Sequence, residues 1–258
     1  MLLYRYMPYE YWVDTVRSGW FAAQRPSRFA DMFEGNIIVN ESCRLCSSAL
    51  DSQFSILCLN KKDGTSKNSE FQLWSQYADG HKGVRILVDL PEGLFDRLYM
   101  MEHVSYESFI PRLQLDSVRC IIESLTVDVV SQWELYAKLF LHKHQSWMWE
   151  NEFRVVIMNT EVTDLIQQRN TNTAPRHNSM EKRWFFRLPA NSILGVDFGA
   201  RVNECGDWFK MVQDVGLVKG QMKNLHFGVM RITQKQDGIE RIDFDEYLRR
   251  LDGGDSRN

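Results

Sequence analysis

The sequence predicts an α+β fold, in which a mixed, mainly antiparallel central sheet is flanked by helices. Two kinds of segment support this prediction. Short apolar or alternating runs of strand length recur along the chain, and other segments carry apolar residues at helical spacing. The 44% hydrophobic and 25% charged residues are ordinary values for a globular protein. We expect one domain over residues 1–252 and a flexible tail over residues 253–258.

Proline and glycine mark the first elements of the chain. Leu2–Met7 alternates and ends at a proline, which predicts a strand, and Tyr9–Ser18 has apolar residues at helical spacing. Gly19 is suited to the left-handed position just beyond a helix. Trp20–Arg25 then has the length of a second strand, which Pro26 ends.

The middle of the chain is predicted to contain short strands and short helices. An Asp-Gly pair in the polar stretch Lys61–Asn68 indicates a loop. The predicted elements around this loop are a short helix near Ser42–Leu50, a strand over Phe54–Leu59, a helix over Glu70–Tyr77, and strands over Gly83–Leu90 and Met101–Tyr106.

Helical spacing dominates Leu115–His144, with an interruption at Thr126–Asp128. Glu152–Met158 alternates as a strand, and the polar stretch Thr160–Glu181 is predicted to be a mobile loop. Beyond this loop we expect strands over Arg183–Leu188, Ser192–Val196 and Leu225–Ile232, and helices over Asp207–Val215 and Glu246–Leu251.

Net charge and hydropathy indicate which partners and cellular compartments are disfavoured. The net charge of -3 gives no overall attraction to a phosphate backbone, which disfavours broad nonspecific binding of nucleic acid. No run of about 18 apolar residues is present, and the N-terminus has neither a basic leader nor an apolar signal core. We therefore expect a cytoplasmic protein that does not enter a membrane.

The sequence gives no support for a metal site or a common cofactor loop. Five scattered cysteines do not form a disulfide framework, and Cys43 and Cys46 lack the second ligand pair that a zinc site needs. On a predicted helix, His142 and His144 would point about 200° apart and could not share a metal. The motifs G-x-G-x-x-G, H-E-x-x-H and G-x-S-x-G and the Walker lysine loop are also absent. No metal cofactor is expected.

Four stretches place charges beside aromatic rings. They are YRY at Tyr4–Tyr6, FADMFEG at Phe29–Gly35, WSQYADGHKG at Trp74–Gly83 and WMWENEFR at Trp147–Arg154. In order and spacing they resemble the hallmarks of a bacterial family, the domain of unknown function 2971 family. Those hallmarks are a tyrosine-basic-tyrosine strand, an F-N-D-P-F-E turn, W-S-x-Y-A-x-x-H-x-G and W-x-x-E-x-E-x-R.

The resemblance covers roughly residues 1–230, and SILG at Ser192–Gly195 resembles a later strand of the family. The turn departs from the family pattern, because Ala30 and Met32 replace its usual Asn and Pro. This departure weakens any binding role for Asp31 and Glu34.

The ENEFR segment carries the main candidate for chemistry. In an extended strand, Glu150, Glu152 and Arg154 would project from the same face. In one interpretation they form a salt-bridge cluster in which Arg154 neutralises a glutamate. In the other, a glutamate holds a ribose hydroxyl and stabilises positive charge at the sugar carbon while a glycosidic bond breaks. Both interpretations stay open.

The layout is also similar to the ADP-ribosyltransferase superfamily, whose split sheet we expect here. That superfamily opens with a strand bearing a His or Arg for NAD and places a catalytic glutamate at the start of a later strand. The resemblance implies NAD as substrate and Glu152 as the catalytic carboxylate, accompanied by Glu150 and Arg154. The residues it implies for contact with NAD are Tyr4, Arg5, Tyr6, Trp74, Ser75, Tyr77, His81 and Lys82.

Three functions remain open from the sequence. The first is an NAD-consuming transferase or glycohydrolase of the toxin or antiviral-defence type, with a small nucleotide ligand and a protein or nucleic-acid target. The second is a protein that binds or processes nucleic acid through local Arg, Lys and Trp side chains. The third is a noncatalytic binding or regulatory domain in which the charged cluster only holds the fold.

Overall fold

The computed structural model describes residues 1–29, 37–40, 43–45, 50–51, 53–91, 100–108, 139–159, 166–172, 180–205, 208–233 and 239–252. Within these ranges the chain has an α+β fold, with helices and mainly antiparallel sheets, as predicted. Two compact units are present. The first contains Met1–Trp20, Lys61–Leu90 and Leu188–Asn258, and the second contains Phe21–Asn60 and Pro91–Arg187.

The described elements are numbered in chain order. The strands are β1 (Leu2–Met7), β2 (Trp20–Ala22), β3 (Ile37–Asn40), β4 (Cys43–Leu45), β5 (Phe54–Lys61), β6 (Val84–Asp89), β7 (Met100–His103), β8 (Ser105–Glu107), β9 (His142–His144), β10 (Glu152–Met158), β11 (Ile166–Asn172), β12 (Met180–Arg187), β13 (Ile193–Phe198), β14 (His226–Ile232) and β15 (Ile239–Asp243). The α-helices are α1 (Trp12–Ser18), α2 (Lys67–Tyr77), α3 (Trp208–Gln221) and α4 (Phe244–Asp252).

The first unit is built on five strands in the order β15-β14-β13-β6-β1. Neighbouring strands are antiparallel except for β13 and β14, which are parallel. A parallel pair needs a crossover connection, and α3 lies between these two strands in the chain. Aromatic rings fill the core beside them: Trp12 meets Phe198 edge to face at 5.4 Å, and Phe198 lies 5.7 Å from Phe244.

The second unit has β10 at the centre of an antiparallel ladder, with β5 on one side and β7 on the other. A further sheet has the order β11-β12-β2, and short two-stranded ladders join β3 to β4 and β8 to β9. The strand β10 is paired on both edges, and its side chains Val155 and Ile157 are buried in the core.

Most of the predicted elements that fall in the described part of the chain are confirmed. β1, β5, β6, β10, β13 and β14 lie within two residues of their predicted bounds, and Gly19 has the predicted left-handed φ, 72°. α2 begins three residues earlier than predicted because the Ser66 hydroxyl accepts a hydrogen bond from the Ser69 N–H at 3.1 Å.

Other local predictions are wrong. His142–His144 form a strand instead of a helix end, and Cys43–Leu45 form a strand instead of part of a helix. The predicted loop after Thr160 contains β11, because pairing with β12 satisfies its backbone groups although its side chains are polar. The strand β15 and the last six residues of α3 were not predicted.

Several predictions lie outside the described residues. They concern the FADMFEG turn after Phe29, the helical segment up to residue 138 and the C-terminal tail.

Gly83 ends the WSQYADGHKG stretch at a point of close backbone approach. A Cβ atom added to Gly83 would lie 2.2 Å from the Met7 carbonyl oxygen, which belongs to rigid β1. Since real Cβ atoms do not approach oxygen so closely, the last glycine of this stretch is required by packing within the first unit.

We predict that Gly83→Ala lowers the free energy of unfolding by roughly 1–3 kcal/mol, because the backbone must move to admit the methyl group. Gly216→Ala is the matched control, since its Cβ would meet nothing within 4 Å on α3. That change should raise stability by up to about 1 kcal/mol. Equal effects of the two changes in urea denaturation would contradict this packing.

Candidate functional site

Three of the residues predicted to contact NAD surround a buried arginine in the first unit. Tyr6 of β1 lies opposite Arg85 of β6 in the strand register, and Arg85 lies opposite Asp197 of β13. Residues opposite one another share a face of the sheet, so these three form a row across it. The Arg85 guanidinium lies 4.1 Å from the Tyr4 ring centroid and 5.5 Å from that of Trp74.

Arg85 is held by carboxylates as well as by rings, and we call this group the Arg85 cluster. Its Nη2 donates to Asp197 Oδ2 at 2.8 Å, and its Nη1 also pairs with Glu70. Asp197 Oδ1 in turn accepts from Arg241 Nε at 2.6 Å. A Cβ at Gly228 would lie 2.5 Å from that same Asp197 oxygen, so the glycine leaves room for the Arg241 pair.

The ionisation states in this cluster follow from burial and charge. Burial alone would lower the pKa of Arg85, but Asp197 and the other acidic partners raise it above its ordinary value, so Arg85 stays charged. Burial raises the pKa of Tyr6 to about 12 against the opposing effect of Arg85, so the phenol stays protonated. The cluster therefore contains two cations and two anions, which neutralise one another.

The remaining residues predicted to contact NAD are spread over β1, α2 and the turn that follows α2. Arg5 lies between Tyr4 and Tyr6 on β1, so its side chain leaves the opposite face of the strand. Ser75 is exposed on α2, and Tyr77 is half-buried at the end of that helix. Lys82 is half-buried in the turn.

His81 belongs to a turn with three successive left-handed residues. Asp79, Gly80 and His81 have φ values of 47°, 60° and 70°. The His81 N–H donates to the Trp74 carbonyl oxygen at 3.2 Å, and its ring lies 4.4 Å from the Phe71 ring. Burial and then the charge of Arg201 lower the pKa of His81, so the neutral form is favoured in the folded protein.

We predict that His81 makes the first unit less stable in mild acid. A folded-state pKa below the unfolded value of about 6.5 means that the unfolded chain takes up the proton first, so stability is lost as pH falls through that region. In His81→Asn, which tolerates the left-handed backbone, this loss should disappear. The measurement is the difference in unfolding free energy between wild type and variant from pH 7.5 to pH 5. A difference that does not change with pH would contradict the assignment.

The predicted catalytic residues form a separate group in the second unit, which we call the glutamate cluster. It consists of Lys143, Glu150, Glu152 and Arg154. Lys143 Nζ lies 2.5 Å from Glu150 Oε2 and 3.4 Å from Glu152 Oε2, and Arg154 Nη2 lies 3.0 Å from Glu152 Oε2. Both glutamates are in the interior, with exposed fractions of 1% for Glu150 and 4% for Glu152.

The secondary-structure elements that carry these residues differ in part from the predicted ones. Glu152 is the first residue of β10, as predicted, but Glu150 ends a 3₁₀ helix over Gln145–Glu150 and does not lie on the strand. The left-handed Asn151, with φ 45°, turns the chain between them. Lys143 lies on β9, not on the predicted helix, and brings its ammonium group to both carboxylates.

Residues of the glutamate cluster also form hydrogen bonds with groups on neighbouring segments of the second unit. Asn60 Nδ2 donates to the Glu150 carbonyl oxygen at 2.9 Å, and the Glu152 N–H donates to the Tyr106 hydroxyl at 2.8 Å. Arg154 Nη1 donates to the Phe140 carbonyl oxygen at 2.6 Å. Burial raises the pKa of Tyr106, so its hydroxyl stays protonated. In this arrangement both carboxylates are buried and paired with cations.

We predict that Lys143→Met lowers the free energy of unfolding by about 3–5 kcal/mol, because it removes the cation that lies 2.5 Å from the buried Glu150 carboxylate. Arg250→Gln provides the control, since it breaks an exposed pair with Glu246 on α4 and should cost no more than about 0.5 kcal/mol. Urea unfolding of both variants measures the contrast. Similar small losses would mean that the buried pair is not formed.

A further polar site in the second unit was not predicted from the sequence. We call it the arginine pocket. It has a volume of about 50 Å³ and is lined by Ala23, Gln24, Arg25, Arg28, Arg183 and Trp184. Three of these six residues are arginines and none is acidic. The sequence signal was faint, because the arginines come from segments more than 150 residues apart.

A stronger signal was available for the Arg85 cluster. Arg85 is the one charged residue within the apolar run Val84–Val88, and Asp197 is likewise the one charged residue of β13. A single buried charge needs a partner, so two apolar strands with opposite single charges are candidates for neighbours.

The described helices and side chains add two observations. Among the described helices, none is long and apolar enough to cross a membrane. Nor do the described residues include any group of three His, Cys, Asp or Glu side chains that could hold a metal ion.

Comparison with known proteins returned no matching family model, no matching curated protein and no matching solved structure. The predicted resemblances to the domain of unknown function 2971 family and to the split sheet of ADP-ribosyltransferases therefore stay predictions.

Proposed function

We propose that this chain is a binding domain that acts by recognising a ligand, and that its buried charged clusters serve to hold its units folded. One observation carries the proposal. The two glutamates predicted to be catalytic are neutralised by Lys143 and Arg154 in the interior of the second unit. We also propose that the protein is cytoplasmic.

The physical reason is the free energy of burying charge. An isolated carboxylate costs several kcal/mol to bury, and it remains ionised inside a protein only with cations and hydrogen-bond donors around it. Glu152 has both, since Lys143 and Arg154 lie within 3.4 Å of its Oε2. Reaching a sugar carbon would require this carboxylate to leave both cations and would leave them buried without it.

An NAD-consuming transferase is the second candidate, and the position of Glu152 favours it. The superfamily resemblance implies a catalytic glutamate at the start of a strand, and Glu152 is the first residue of β10. This candidate has NAD as its substrate and requires the glutamate cluster to open when the substrate binds. A protein or nucleic-acid acceptor would then receive the transferred group.

We predict that Glu152→Gln lowers the melting temperature of the protein and leaves its response to ligands unchanged. The amide keeps the shape of the side chain but removes the charge that Lys143 and Arg154 neutralise. Glu10→Gln is the control, because Glu10 is an exposed residue of the 3₁₀ turn before α1, away from the glutamate cluster, and should leave the melting temperature unchanged.

The same variants separate the two candidates. Purified protein is incubated with NAD, and both nicotinamide release and ADP-ribose attached to protein or nucleic acid are measured. Turnover by the wild type that is lost in Glu152→Gln, with an unchanged melting temperature, would overturn the binding-domain proposal in favour of the transferase.

A further inference from the structure

The turn over residues 79–82, which we call the His81 turn, packs against the loop that follows β13, and both belong to the first unit. The Arg201 N–H donates to the His81 carbonyl oxygen at 2.9 Å, and the Gly199 N–H donates to the Gly83 carbonyl oxygen at 2.9 Å. A Cβ atom at Gly199 would lie 2.1 Å from the His81 carbonyl oxygen, so the two backbones approach one another closely. We call this arrangement the turn–loop contact.

The His81 turn also closes the end of α2. The Gly80 N–H donates to the Ser75 carbonyl oxygen at 3.1 Å, and the His81 N–H donates to the Trp74 carbonyl oxygen at 3.2 Å. These bonds satisfy carbonyl groups that the last turn of a helix leaves without an intrahelical partner. Because Trp74 also contacts the Arg85 guanidinium, the turn supports a helix that supplies part of the Arg85 cluster.

The His81 side chain is packed in a way that suits its neutral form. It is 8% exposed, and its ring centroid lies 4.4 Å from that of Phe71, the uncharged residue through which α2 meets it. Its buried Nε2 has no hydrogen-bond partner in the described part of the chain. Neutral imidazole can leave one nitrogen as an unused acceptor, whereas imidazolium is a donor at both nitrogens. Protonation would therefore bury a charged N–H group without an acceptor.

The charged groups around His81 also favour its neutral form. Within the turn, Asp79 is exposed and Lys82 is a second cation. On the loop after β13, Arg201 Nε donates to Glu204 Oε1 at 2.8 Å, and both of these side chains are exposed. Burial and then the charge of Arg201 lower the pKa of His81, and among the described residues no acid raises it.

We propose that the turn–loop contact is an acid-sensitive switch, which opens locally when His81 takes up a proton. Opening breaks the hydrogen bond from Arg201 to the His81 carbonyl oxygen and releases the last turn of α2, while the strands of the first unit stay paired. The left-handed backbone of His81, with φ 70°, favours opening once the ring is no longer packed. The switch goes beyond the proposed binding function and does not depend on it.

The test is amide hydrogen exchange of the full chain at pH 7.5 and pH 5.5, with the intrinsic exchange rate at each pH divided out. The opening equilibrium constants of the Arg201 and Gly199 amides should rise roughly fivefold to tenfold, because an open-state His81 with an ordinary pKa of about 6.5 is mostly protonated at the lower pH. The Gly19 amide of α1, which donates to the Thr15 carbonyl oxygen, is the reference and should not change.

Two histidine variants assign the effect. His81→Asn tolerates the left-handed backbone and cannot take up a proton in this range, so it should remove the rise at the Arg201 amide. His226→Asn is the matched control, because His226 is an exposed histidine at the start of β14 in the same unit. It should leave the rise unchanged.

Arg201→Gln keeps the test decisive if His81→Asn does not fold. This change removes the cation that disfavours imidazolium in the closed contact but keeps the backbone N–H that bonds to the His81 carbonyl oxygen. The closed state then accepts the proton more readily, so the rise at the Gly199 amide should become smaller. An unchanged or larger rise would count against the switch.

Three further results would overturn the proposal. One is an equal rise at the Arg201 amide in the wild type and in His81→Asn, since opening would then not depend on His81. Another is the absence of any rise in the wild type. The third is a rise of the same size at the Gly19 amide, because the first unit would then open as a whole and the turn–loop contact would not open locally.

Discussion

Burial of charge is the constraint on which the rest of this structure depends. Arg85 and Arg154 are almost completely buried, and each lies against a carboxylate that is also buried. A buried ion is tolerated only when a counter-ion and hydrogen-bond donors or acceptors surround it. Each unit therefore needs its strands in a single register, because a slip by one residue would turn one partner to the opposite face.

The two units satisfy this constraint in different ways. In the first unit the partners lie side by side on paired strands, so the sheet itself brings Arg85 to Asp197. In the second unit the partners come from β9, a 3₁₀ helix and the start of β10, so a turn through Asn151 is needed to collect them. Both clusters include residues that a sequence motif suggests as functional, since packing and binding demand similar combinations of charge and aromatic rings. Neutralised clusters of this kind favour a structural role.

Much of the fold could be predicted from local patterns, and the site could not. Strands such as Leu2–Met7 and Glu152–Met158 were predictable because alternation and flanking proline or turn residues are local signals. β11 and β9 were not, because their polar residues carry no strand pattern and pairing alone places them in a sheet. The salt bridge between Glu152 and Arg154 was one of the two interpretations that the sequence allowed. The role of Lys143 could not be predicted, because helical spacing in the sequence placed this residue on a helix. Arg25 and Arg183 line the same pocket although they are far apart in the chain, and no local sequence pattern predicts that they are neighbours.

The coupling energy between Lys143 and Glu150 most directly tests the claim that a buried ion pair holds the second unit folded. A double-mutant cycle with Lys143→Met, Glu150→Gln and the double variant, measured by urea unfolding, isolates the energy of their interaction. A structural ion pair in the interior predicts a coupling energy of about 2 kcal/mol or more, with the double variant more stable than the single changes predict together. A coupling energy below about 0.5 kcal/mol, typical of an exposed pair, would contradict the account.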